Sequence, residues 1–338
     1  MKRATEGVIL IALLWILVAL SAIALSFSRE GFVEVAAARN AQSLENAYFV
    51  ARSGIALTIY RLLEKRLATS SALAASPPLA ESQGELDSLD LGIVTGSIGG
   101  GFYRVDIQDE SGKINVNLVQ EGQLRALVQA SGIDRPDSDI ITDSILDWRD
   151  ADSITRLNGA EDDYYQTLNP PYKAKNGRLD TVEELLLVRG VTADYFYGYP
   201  QRAADGSIVY RYGLSRYLTV YSTRDQININ FAPLPVLLSI PGMQPQAAQA
   251  IYDRRHVKPF KSMEEVVHEI PVTIDAGPLS HLTTEQTGIY TLTAAAHAEN
   301  SKARRVIRAV ISLQPGERTQ YQTLYWNENV PDYEGTAP

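Results

Sequence analysis

Between Asp134 and Asp163 stand ten acidic and three basic side chains. Asp147, Asp150 and Asp152 come first. A turn follows at Asn158-Gly159, and Glu161-Asp162-Asp163 closes the run. Carboxylates crowded this way repel one another unless a cation or basic groups stand among them. Oxygen ligands on an irregular loop suit calcium, which takes about six to eight of them without strict geometry. His, Cys and Met are absent from the run, which counts against zinc and copper. The run is not an EF-hand, because counting from Asp150 puts Ile154 at position five and no glycine at position six. Two other readings stay open. One is a solvated acidic loop. The other is a paired-carboxylate hydrolase, for which Trp148, Tyr164, Tyr165 and Tyr172 would supply binding aromatics.

The acids sit in the first copy of an internal repeat. Ile114-Asn115-Val116-Asn117 matches Ile227-Asn228-Ile229-Asn230. An apolar helical run ending at glycine follows each: Leu124, Leu127 and Gly132, then Leu234, Leu237 and Gly242. Ile145-Leu146-Asp147-Trp148-Arg149 stands beside Ile251-Tyr252-Asp253-Arg254-Arg255. Each copy closes on a helix start, capped by Thr181 or Ser262 with acids in the first turn. The first copy is longer by about 25 residues, and those residues carry the acids.

Each copy resembles a helix-hairpin-helix unit, a fold that usually grips the DNA backbone at a glycine hairpin. Here Gln244 replaces the usual second glycine, and Asp134 stands two residues after Gly132. The chain has a net charge of −9 and a pI of about 5.1. That balance works against nucleic acid as a partner and favours a packing or interaction module. Cysteine is absent, which excludes disulfides and thiolate chemistry.

Val8–Phe27 is an uncharged apolar stretch without proline or glycine, long enough to span a ~30 Å hydrocarbon core as a helix. Lys2 and Arg3 before it place the N-terminus in the cytoplasm. A cleaved signal ending at Ser21-Ala22-Ile23-Ala24, a plain anchor and a processed leader ending at Gly7 compete for it. Helix formers continue to about Leu67, with Tyr48, Ala51, Ile55, Ile59 and Leu62 on one face. Gly31 and Gly54 are points where this helix can bend.

A Pro77-Pro78 loop follows over Ala68–Leu86. Phe102–Gln108, Gly288–His297 and Ala303–Leu313 read as strands, with a hairpin turn at Glu299–Lys302. The expected fold is α+β: a long N-terminal helix on a small antiparallel sheet, with a large helical insertion. The expected divisions are 1–7 leader, 8–27 membrane span, 28–67 helix continuation, 68–117 with 281–313 sheet, 118–280 insertion with an acidic loop at 147–180, and 314–338 flexible tail.

The basic leader, Gly7 and the unbroken apolar helix resemble a type IV prepilin-like N-terminus. Added to these are Asp109-Glu110-Ser111-Gly112-Lys113, the Asn115 and Asn228 runs, Asp147-Trp148-Arg149-Asp150-Ala151-Asp152 and Asn158-Gly159-Ala160-Glu161-Asp162-Asp163-Tyr164-Tyr165. Together they resemble the K-type minor pseudopilin family of the type II (general) secretion system, across residues 1–313. The resemblance implies cleavage by prepilin peptidase between Gly7 and Val8, with Val8 the mature, methylated N-terminus. It implies one or two calcium ions held by Asp150, Asp152, Glu161, Asp162 and Asp163. It also implies a non-enzymatic role at a periplasmic pseudopilus tip, anchored in the inner membrane of a Gram-negative bacterium. The implied partners are I-type and J-type minor pseudopilins, other pseudopilins, inner-membrane secretion components, and secreted cargo or the outer-membrane channel. Most pilin-like subunits carry glutamate at mature position five, whereas Ala12 stands there. A subunit without that carboxylate has no partner for the terminal amine of a subunit ahead of it, which suits a cap. A membrane-anchored DNA receptor and a carboxylate-pair glycosidase remain the alternatives.

Overall fold

The computed structural model describes residues 2–70, 92–202, 208–222, 224–299, 301–314 and 320–330. It describes their side chains except at 2–12, 67–70, 200–202 and 208–210. The Pro77-Pro78 loop and the side chains of Val8 and Ala12 lie outside this set, and Gly7 is described only as helical backbone.

Helix α1 runs Lys2–Ser70. No proline interrupts it. Ala47, Val50, Ala51, Ile55, Ile59 and Leu62 are buried at spacings of three and four, so one stripe faces the protein. It packs on Val94, Tyr103, Val105, Leu292, Ala294, Ala296, Ile307, Ala309 and Ile311 of a sheet. Alanines on the sheet side let the helix lie close. At Gly54 an added Cβ would come 2.7 Å from the Tyr103 ring. Leu13–Arg66 is, among the described residues, the helix long and apolar enough to cross a membrane. Its apolar window is not buried within the chain.

The sheet holds β1 (Ile93–Ile98), β2 (Gly101–Asp109), β9 (Ile289–Ala298), β10 (Arg304–Ser312) and β11 (Gln322–Asn327), in that order and antiparallel throughout. Asp109 at the end of β2 pairs with Tyr290 near the start of β9. The chain therefore leaves and re-enters the sheet at neighbouring points. An insertion there leaves the β2–β9 register intact, which is why a large domain is tolerated.

The insertion is less purely helical than expected. After a 3-10 turn at Glu110–Gly112 come β3 (Ile114–Asn115), α2 (Glu121–Ala130), α3 (Arg135–Arg149) and α4 (Asp162–Tyr165). Then follow α5 (Ala193–Tyr197), a β4–β5 hairpin (Tyr199–Arg202, Ile208–Arg211), β6 (Leu218–Thr219) and β7 (Ile227–Asn228). The helices α6 (Leu234–Ser239), α7 (Pro245–Val257), α8 (Met263–Glu269) and α9 (Ala276–Ser280) precede β8 (Leu282–Thr283). One apolar core runs through it, from Ile114 and Val116 to Leu282. The expected bounds of 118–280 were therefore too narrow. Ile114 pairs in parallel with Leu218, and Leu282 with Ile227, so both ends belong to the insertion.

The two related segments make the same hydrogen bonds. Asn117 Nδ2 donates to Leu179 O (2.9 Å) and its Oδ1 accepts from Leu179 N (2.8 Å). Asn230 does the same to Phe260, at 2.9 and 2.8 Å. Arg149 donates to the carbonyls of Val116 and Val119, and Arg255 to those of Ile229 and Ala232. Glu184 and Glu265 each reach back to the backbone before their helical turns.

A flexible tail from 314 is corrected in part. Gln322–Asn327 pairs with β10, and Tyr48 Oη donates to Glu328 Oε1 at 2.8 Å, tying the strand's end to α1. Its Thr-Leu-Tyr-Trp run is made of good strand formers, a signal that the polar flanks obscured.

Candidate metal centre

Helix α3 ends at Arg149, where the chain turns out as Asp150 takes an extended conformation. Asp143 and Asp147 lie one helical turn apart and are buried, Asp147 completely. Both point at the loop that follows. Asp147 Oδ2 accepts the Arg156 N–H (3.1 Å). Asp143 Oδ2 accepts the backbone N–H (3.1 Å) and side-chain amide (2.9 Å) of Asn158. Arg189 Nη1 donates to Gly159 O at 2.8 Å and lies over the Tyr164 ring. Asp152 accepts from Ile154 N in a local turn (2.8 Å), and Asn176 Nδ2 donates to Asp152 O (3.0 Å).

Folded back in this way, the loop brings Asp150, Asp152 and Glu161 together, with one carboxylate oxygen from each within 4.8 Å of the others. Glu161 is 4% exposed, and among the described residues neither of its oxygens has a hydrogen-bond partner. Asp150 Oδ1 is likewise unpartnered. Burial, then the charges of Asp147, Asp150, Asp152 and Asp162, push the Glu161 carboxyl up to about 7. Burial also raises Asp147. Asp143 differs. Against the cost of burial, the bonds from Asn158 and Arg125 hold it below the usual carboxylate range.

Buried carboxylate oxygens without donors are costly unless something positive meets them. The donor set is oxygen only, so it fits a hard divalent cation of the calcium kind. Of the five ligand positions carried over by resemblance, Asp162 and Asp163 are not among the three whose oxygens converge. Asp162 Oδ1 accepts the Ala174 N–H (2.9 Å) and faces Lys173 at 3.8 Å, and Asp163 is exposed. Sequence alone does not single out Asp143 or Arg156, and it marks Asn158 only as part of a turn and of a family-like run. The i, i+4 spacing of Asp143 and Asp147 was the available signal.

The neighbouring aromatics are structural. Trp148 and Tyr165 are buried, 3% and 0% exposed, and meet edge to face at 5.1 Å. They wedge the loop against α3 and leave no open platform at those two rings for a sugar.

Residues 105–198, which contain this loop and the helices flanking it, match the family model described as type II secretion system (T2SS), protein K. The type II secretion system protein K of Pseudomonas aeruginosa is 30% identical over 176 residues, covering 49% of this chain and 48% of that protein. That of Pectobacterium carotovorum is 31% identical over 114 residues, 29% of this chain and 35% of the relative. That of Aeromonas hydrophila is 40% identical over 70 residues, 20% and 21% of the two chains. The chain thus spans about half or less of the length of these protein K relatives. A solved structure of the GspK-GspI-GspJ complex from enterotoxigenic Escherichia coli shares the fold. One chain of it aligns at TM-score 0.53 and 16% identity, covering 81% of this chain and 98% of that one.

Proposed function

We propose that this chain is a minor pseudopilin of type II secretion, a non-enzymatic subunit that sits at the tip of a periplasmic pseudopilus. The observation that carries this reading is the division of α1. One stripe of its Ala47–Leu62 stretch is buried against the chain's own sheet, while Leu13, Trp15, Leu20, Phe27, Phe32 and Val35 are each more than half exposed. So much apolar surface needs a membrane, the apolar helices of other subunits, or each in turn. The protein K match over 105–198 supports the same assignment. The I-type and J-type pseudopilins are the proposed neighbours, named after the complex that shares the fold. Lys2 and Arg3 orient the head to the periplasm.

The side-by-side exit and return at Asp109 and Tyr290 let the insertion stand off the sheet as a bulky head. A head of that kind suits a cap better than a stacked body subunit. Within it, Asp150, Asp152 and Glu161 would hold calcium, and the ion would supply the positive charge that their converging oxygens lack. Asp143 and Asp147 act before any ion arrives. They fix the backbone at Asn158 and Arg156 so that the loop folds back and the three carboxylates converge.

Deletion of the chain from a host whose secretion is measured, with complementation by the intact chain and by a Gly7→Val form, tests the reading. Loss of secretion on deletion, restored only by the processed form, is expected, together with recovery of I-type and J-type subunits on the purified protein. Normal secretion in the deletion strain would overturn it.

A further inference from the structure

Arg156 lies inside the same loop as the converging carboxylates and contacts two of the acids around the centre. Its Nε is 3.2 Å from Asp147 Oδ1, and Nη2 is 3.5 Å from Asp150 Oδ2. Nη1 is 3.9 Å from Glu121 Oε2 on α2. The Arg156 side chain is 40% exposed, as is about half of Glu121, whereas Asp147 is fully buried. The guanidinium can therefore swing toward solvent and Glu121, while Asp147 cannot follow. Glu161, buried and with both oxygens unpartnered among the described residues, independently marks the place where positive charge is missing.

Resting on the calcium reading above, we propose that Arg156 is a built-in counter-ion that competes with the metal for Asp150. In the cation-free protein the guanidinium neutralises Asp147 and Asp150 and keeps the loop from springing open. A divalent cation needs the Asp150 oxygens and repels a guanidinium beside it. Arg156 then gives up Asp150 and moves toward Glu121, which Arg125 Nη2 already holds at 2.9 Å. The loop stays anchored throughout, because the Arg156 backbone N–H to Asp147 Oδ2 does not depend on the side chain. Arg156 thereby sets the calcium concentration at which the head locks.

The test uses the full chain in mild detergent, stripped with a chelator and titrated with calcium by calorimetry. Thermal melts are run with chelator and with calcium. Arg156→Gln is expected to tighten calcium binding roughly 3- to 5-fold, the scale of one half-exposed ion pair. It is also expected to lower the melting temperature of the chelated form by about 2 °C and leave the calcium-loaded form unchanged. Arg156→Lys keeps the charge and is expected to bind within about 2-fold of the natural chain. Unchanged or weaker binding by Arg156→Gln, with the natural chain binding calcium normally, overturns the counter-ion role alone. A natural chain that takes up no calcium overturns both readings.

Discussion

A Cβ placed on Gly159 would lie 1.9 Å from Oδ2 of Asp147, the oxygen that accepts the Arg156 N–H. The loop backbone passes so close to a fully buried carboxylate that no side chain fits between them. Gly159→Ala must therefore push the loop away from α3 or break the Asp147 bond. We expect a loss of about 1–3 kcal/mol, the range for overpacking a filled site. The rise in melting temperature expected from the proposed calcium site should shrink at the same time. Melts of the natural and substituted chains, each with calcium and with chelator, check both.

Glu161→Gln should have opposite effects in the two states. It removes a buried negative charge that faces Asp147, Asp150 and Asp152, so the chelated protein is expected to melt higher than the natural chain. It also removes a proposed ligand, so the gain expected on adding calcium should fall by more than half. A variant that melts lower in chelator and gains normally with calcium would count against the centre.

Asn117 and Asn230 offer an internal comparison. Each clamps a distant backbone with two hydrogen bonds, to Leu179 and to Phe260. Replacing either with alanine should cost about 2 kcal/mol, from two lost bonds that leave a partly buried N–H and C=O unmet. Only Asn117→Ala is expected to weaken calcium binding, because its clamp closes the segment that contains the acidic loop. Equal loss of calcium affinity in both variants would remove that distinction.

Asp109 makes a pH-dependent contribution apart from the metal centre. It is 6% exposed, and burial pushes its carboxyl up to about 6, against the hydrogen bonds from Ser111 that pull it down. In the unfolded chain the same group ionises near 4. The folded protein therefore keeps this proton longer than the unfolded one. Below about pH 4 both states hold it and nothing is lost; between about pH 4 and 6 stability falls as pH rises, by about 3 kcal/mol in total. Asp109→Asn keeps an acceptor for Ser111 and cannot ionise. Relative to the natural chain, it should gain stability from about pH 4 to pH 6 and hold that gain up to pH 7. A constant difference across that range would show that Asp109 ionises normally.

Much of this protein can be read from the order of its residues, because local physics decides it. The uninterrupted apolar stretch and the stripe from Tyr48 to Leu62 specify α1, since helix formation and amphipathic spacing act over a few residues. The alternation in Phe102–Gln108 and the repeated Ile-Asn-Ile/Val-Asn runs mark the sheet and the paired segments for the same reason. The acids were also visible, and so was an oxygen-only chemistry for them. Tertiary structure decided which acids meet. Asp150 and Glu161 converge where Asp143 and Asp147 on α3 hold the backbone between them, whereas Asp162 accepts the Ala174 N–H. The bounds of the insertion and the place of β11 likewise depend on parallel or antiparallel pairing with distant strands. Such pairing joins residues far apart in the chain, and no local propensity records it.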